Sequence, residues 1–217
     1  MADLLLVVAI AVPVLIGVAI VVAVASSQRK VGGSVAVDRE QSVGGWLVAS
    51  GWQAGPTEGA QFPPALRAEA AVPQRCALNA SGTVDGVPVT VQLWSAQYRR
   101  KTNPWRHSLF LSLVMAGAPA QVPHAALADA NQSPWVLMHL TPPLAQTRMQ
   151  RKLGLLTWNV DDGLAARLAP FAGALAGTGA WLILNQGLVA VAGHDQPTPS
   201  ELESRTRLAA AVARALN

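Results

Sequence analysis

The first pattern along the chain is a stretch without polar positions. Leu4–Ala25 is apolar throughout, 22 residues with no charge. At about 1.5 Å of rise per residue, a helix of that length crosses the roughly 30 Å hydrocarbon layer of a bilayer. Pro13 and Gly17 lie inside it, and both are tolerated in membrane helices. It is apolar on every face, whereas a helix lying on a globular core keeps a polar side. Ala23-Val24-Ala25 before Ser26 also resembles a signal-peptide cleavage site. Against cleavage, the apolar run is longer than signal peptides use, and Met1-Ala2-Asp3 carries no basic side chain. The pattern predicts an uncleaved transmembrane anchor over 1–26. A short flexible tether follows over 27–37, containing Val31-Gly32-Gly33-Ser34.

Beyond the tether the spacing of apolar residues changes to mixed periods, which predicts one α+β domain over 38–217. Asp38 with Gln41 can cap a helix, and Val43, Trp46 and Leu47 share one side of it, giving a helix over 39–50. Gly51 suits the left-handed residue that ends such a helix, with Trp52 folding back. Residues 53–75, rich in proline, glycine and alanine, read as an irregular connection. Asp85-Gly86 supplies the positive φ angles of a tight turn, so 83–94 reads as a hairpin with Val87, Val89, Val91 and Leu93 on one face. Pro88 cannot donate to a ladder, which places that end near a sheet edge. Leu109, Leu111, Leu113 and Met115 alternate with Phe110, Ser112 and Val114, giving a strand over 109–116 that pairs with the hairpin.

Pro119 and Pro123 mark a loop. Trp135–Leu140 and Leu153–Val160 are further strand candidates, separated by Pro142-Pro143 and a basic turn. Asp161 or Asp162 caps a helix over 162–176 with Leu164, Leu168, Phe171 and Leu175 at helical spacing, and Gly177 and Gly179 end it. Residues 181–192 read as an apolar hairpin about Asn185-Gln186-Gly187. Thr198-Pro199-Ser200-Glu201 is a capping box with proline at the first helical position, starting a helix over 199–216. Leu202, Ala209, Val212 and Leu216 form its apolar stripe. Arg205, Arg207 and Arg214 follow Glu201 and Glu203, as the helix dipole favours. The uncharged run 168–193 could be a second membrane span, but Asn185, Gln186 and its glycines favour the hairpin.

Charge sharpens the orientation. Asp3 is the one charged side chain before residue 27. The remainder therefore carries all 16 basic residues against 11 of the 12 acidic ones, a net of +5. Arg29 and Lys30 directly follow the apolar run, which places the domain in the cytoplasm of a single-pass cell-membrane protein. The excess suits anionic lipid or an acidic partner and is too small to call for nucleic acid. Hydrophobic residues make up 51% and charged ones 13%, so the surface is poor in charge and suits a partner or a nearby membrane.

Catalytic chemistry finds little support. Cys76 is the single cysteine, so no internal disulfide forms, and a lone cysteine is most often a small buried apolar residue. His107, His124, His139 and His194 show no metal-ligand spacing, and no metal or cofactor is expected. His194-Asp195 adjacency does not orient an imidazole, and a helix cap accounts for Asp161-Asp162. The run Gly173–Gly179 lacks the lysine of a phosphate loop. Two basic clusters remain as candidate binding residues. Arg99, Arg100, Lys101 and Arg106 surround Trp105, and Arg148, Arg151 and Lys152 form the second. Each cation near an anionic leaflet gains about 1 kcal/mol, and cations beside an indole also suit stacked single-stranded nucleic acid. The bland reading is a solvated loop.

Gly51-Trp52 closing the first helix, the Gly82–Trp94 hairpin, the apolar strand ending near Gly117 and the last strand pair leading into 198–216 together carry a resemblance. In layout over about 40–216, the chain resembles an uncharacterised family of bacterial, actinobacterial-type single-pass membrane-anchored proteins. The resemblance implies a small α+β domain and transfers no functional residue. The expected function is a non-catalytic, membrane-anchored adaptor or accessory subunit that binds a protein partner at the membrane surface. The alternatives are a membrane-tethered hydrolase or transferase and a secreted binding domain.

Overall fold

The computed structural model describes residues 40–66, 75–99, 106–131, 144 and 146–217, with backbone alone at 96–99 and 106–109. The anchor, the tether, His139 and the strand candidate at 135–140 lie outside these residues, as do Arg100, Lys101 and Trp105. The described residues belong to one compact unit, Glu40–Asn217. It is an α+β fold with a large antiparallel sheet and few helices.

Helix α1 spans residues 40–49 and buries Val43 and Leu47. Its end follows the expected chemistry. Gly51 takes φ +79°, its N–H donates to Val48 O at 3.0 Å, and the Trp52 N–H reaches back to Leu47 O at 2.9 Å. These two bonds satisfy carbonyls that the helix would otherwise leave open. The 53–75 connection is less irregular than its composition suggests. It contains the two-residue strand β1 (Gln53–Ala54) and a 3-10 turn (Pro64–Leu66) that buries Leu66.

Strands β2 (Arg75–Val84) and β3 (Val87–Arg99) meet through the Asp85-Gly86 turn, with φ +49° and +82°. β4 (Arg106–Gly117) pairs with β3 from Val89↔Ala116 to Arg99↔Arg106. Pro88 lies one residue outside that ladder, where its missing N–H costs nothing. β8 (Trp181–Asn185) and β9 (Leu188–Gly193) turn at Gln186-Gly187. The uncharged run 168–193 is thus a helix and two strands. Among the described residues, no helix is long and apolar enough to cross a membrane.

Three features differ from the sequence pattern. β5 (Ala125–Ala128) follows the Pro119–Pro123 loop and is fully buried between β8 and β7. It shows no polar alternation because both its faces are covered: Ala125 and Leu127 enter one core, Ala126 and Ala128 the other. The basic turn is itself a strand, β6 (Met149–Lys152), paired with β7 (Leu155–Trp158) across Leu153-Gly154. Leu153 is therefore a turn residue with φ +59°, not a strand start. The helix over 162–176 is two helices, α2 (Asp162–Leu168) and α3 (Ala172–Thr178), joined by a 3-10 turn at Ala169–Phe171. Pro170 has no N–H to continue the first helix.

The sheet order is β1-β2-β3-β4-β9-β8-β5-β7-β6 with every neighbouring pair antiparallel. The last helix, α4 (Pro199–Leu216), has the full capping box: Glu201 N–H donates to Thr198 Oγ1, and Thr198 N–H to Glu201 Oε2 at 2.7 Å. It packs with α1, α2 and α3 against one face of the sheet. Leu202, Ala209, Val212 and Leu216 join Val89, Val91, Val114 and Val191 there. Fully burying one such aliphatic side chain contributes about 1.5–3 kcal/mol. The opposite face carries Trp94, Leu113, Trp158 and Trp181, with Phe62 edge-on to Trp94 at 5.4 Å between ring centres.

Candidate functional site

Of the first basic cluster, Arg99 and Arg106 lie on the described backbone of β3 and β4. Among the described residues, β2 pairs with β3 as far as Ser95 and β9 with β4 as far as Ser112. Among the described residues, β3 and β4 continue alone through Ala96↔Leu109 to Arg99↔Arg106. The register places Arg99 and Arg106 opposite each other.

Of the second cluster, Arg151 and Lys152 lie on β6, the last strand of the sheet order among the described residues, and Arg148 directly precedes it. An open polar groove of about 460 Å³ separates it from the start of α2. Arg148, Gln150 and Lys152 line one side, and Asn159, Asp161 and Asp162 the other. Arg151, at the alternate position, does not line the groove. The two carboxylates have structural tasks. Asp161 Oδ1 accepts the Leu164 N–H at 2.7 Å and caps α2. Asp162 accepts from Lys152 Nζ at 2.7 Å, and that hydrogen bond and positive charge hold its carboxyl below the usual range. Arg148 and Arg151 are exposed and have no ion-pair partner among the described residues.

The tightest polar constellation is one the sequence did not single out. Arg205 on α4 has 1% of its side chain exposed and meets Asp195 through two bonds, Nη1–Oδ1 at 2.8 Å and Nη2–Oδ2 at 2.6 Å. Nη1 also donates to Ser112 Oγ on β4 at 2.6 Å, and Nη2 to Thr178 O at the end of α3 at 3.1 Å. Ser112 in turn donates to Asp195 Oδ1 at 3.0 Å. One guanidinium thus joins α4, α3, β4 and the loop after β9. Burial pushes the Asp195 carboxyl up. The hydrogen bond and charge of Arg205, the Ser112 hydroxyl and His194 outweigh that and hold it below its usual value. His194 itself is pulled down by desolvation, against the opposing charge of Asp195. Gly193 leaves the room this cluster needs. A Cβ there would collide with Arg205 Nη1 and stand 2.5 Å from Asp195 Oδ1 and 2.7 Å from Ser112 Oγ.

One signal was available. Position 205 stands three residues after Leu202 and four before Ala209, which puts a basic residue on the apolar stripe of the helix. Ser112 is completely buried, so it presents no nucleophile to a substrate. Cys76 is buried as well, and desolvation raises its thiol pKa, against a hydrogen bond to Leu78 O. Among the described residues, no group of three or more His, Cys, Asp or Glu gathers to hold a metal ion. Comparison of the chain with protein-family models, curated proteins and solved structures finds no match.

Proposed function

We propose that the chain is a membrane-anchored, non-catalytic adaptor or accessory subunit. Its α+β domain stands on the cytoplasmic side and binds a protein partner near the membrane surface. One observation carries the reading: the uncharged run Leu4–Ala25, long enough to cross a bilayer, followed at once by Arg29 and Lys30. Support comes from the polar groups of the domain. Asp161 caps a helix, Asp162 pairs with Lys152, and Ser112, Asp195 and Arg205 bind one another. Arg99 and Arg106, paired across β3 and β4, add two cations suited to an anionic surface.

Removal of residues 1–30 is the decisive experiment. The truncated chain is expected in the soluble fraction, and the full chain in the membrane fraction until detergent is added. A full-length chain that stays in solution without detergent, its first 26 residues intact by mass spectrometry, overturns the reading. Co-purification of the full chain in mild detergent then identifies the partner.

A further inference from the structure

We infer that β6 is a docking edge for an extended, acidic segment of a partner protein, which adds to the sheet as a further antiparallel strand. The inference rests on the adaptor reading and names the chemistry of its partner.

Backbone geometry comes first. β6 and β7 join through a two-residue turn, so Lys152↔Leu155 and Gln150↔Thr157 are the pairs that exchange ladder hydrogen bonds. The N–H and C=O groups of Met149 and Arg151 therefore point away from β7. Among the described residues, β6 ends the sheet order. An edge with outward backbone groups is a template for strand addition.

Charge selects the occupant. Asp162 already neutralises Lys152, and Asp161 is committed to the Leu164 N–H, which leaves two exposed cations without an ion-pair partner among the described residues, Arg148 just before β6 and Arg151 on it. They lie on opposite faces, Arg148 toward the groove and Arg151 away from it. A second copy of β6 would bring these cations against one another, and like charges across strands repel. A segment with carboxylates at successive positions would meet one cation on each face. The groove beside β6 leaves space for the side chains on the Arg148 side. The exposed Met149, 50% accessible, supplies apolar contact on the other.

The probe is a fluorescent eight-residue peptide of Glu-Glu and Val-Val pairs in turn, which puts carboxylates on both faces of an added strand, titrated against the full-length protein in mild detergent micelles at low salt. Saturable binding is expected, at least tenfold tighter than for the Lys–Val peptide and weakened at least tenfold in an Arg148→Glu/Arg151→Glu variant. Met149→Pro removes an outward N–H while leaving the ladder to β7 intact, so it should reduce binding similarly. N-methylation of alternate peptide residues tests the same hydrogen bonds without altering the protein. Equal binding of the two peptides, or undiminished binding of the N-methylated peptide, overturns the inference. If the partner still co-purifies with a Met149→Pro chain, the docking edge fails while the adaptor reading stands. A chain that never enters the membrane fraction sinks the adaptor reading instead.

Discussion

Arg205 and Asp195 meet at 2.6 Å against the helix-covered face of the sheet, and Lys152 and Asp162 meet at 2.7 Å beside its last strand. The two pairs have nearly the same length and unequal surroundings. Arg205 is 1% exposed, whereas Asp162 is 99% exposed. Water surrounds Asp162 and still reaches Lys152, whose side chain is 23% exposed, and the gain from such a pair is small. Water cannot reach Arg205, so its charge depends on Asp195. Distance does not rank these ion pairs. What ranks them is whether the charge left behind could be hydrated.

The largest expected effect follows from that asymmetry. Asp195→Asn leaves a buried guanidinium without a counter-charge. It should cost about 3 kcal/mol, the low end for breaking a buried pair because the Asp195 side chain is itself 38% exposed. Arg205→Met removes the buried charge and leaves a carboxylate able to hydrate, so about 1 kcal/mol is expected. Urea midpoints of the domain measure both, and equal losses would break the comparison. The pH dependence provides a second reading. A carboxyl with a lowered folded pKa contributes stability that is fully present above its ordinary value of 3.8 and disappears as pH falls through the folded value. Asp195→Asn should flatten that acid limb.

Gly193→Ala probes the same cluster by volume. Its new methyl group meets three clasp atoms at once, and about 1–3 kcal/mol of destabilisation is expected on thermal unfolding. The β6 hairpin should respond in the opposite direction. Leu153 holds φ +59°, a conformation that asparagine adopts with less strain, so Leu153→Asn should stabilise by up to about 1 kcal/mol. Last, Asp162→Asn should leave the urea midpoint unchanged. A clear loss there would mean that the exposed pair holds the hairpin against α2.

Local chemistry explains which elements were legible. Asp85-Gly86, Gly51 and the Thr198 box all act through neighbours a few residues away, and each is found where the pattern put it. β5 was hidden because a strand covered on both faces has no polar side to alternate with, and Ala125-Ala126-Leu127-Ala128 carries no strong strand preference. β6 was hidden because Met149-Gln150-Arg151-Lys152 is polar enough to pass for a loop. Among the described residues β6 is the last strand, and its largely exposed side chains allow such polarity.

Sequence alone set the apolar run at the front, the turns, the caps and the alternation of β3 and β4, because these depend on contacts close along the chain. It also supplied both basic clusters as compositions. Only the tertiary structure placed one of them at β6 beside a groove, and only it joined Ser112, Asp195 and Arg205. The Arg205 Nη1–Ser112 contact spans 93 positions, and no local pattern encodes which distant oxygen will meet a guanidinium. That choice depends on the sheet register and on the depth at which α4 packs.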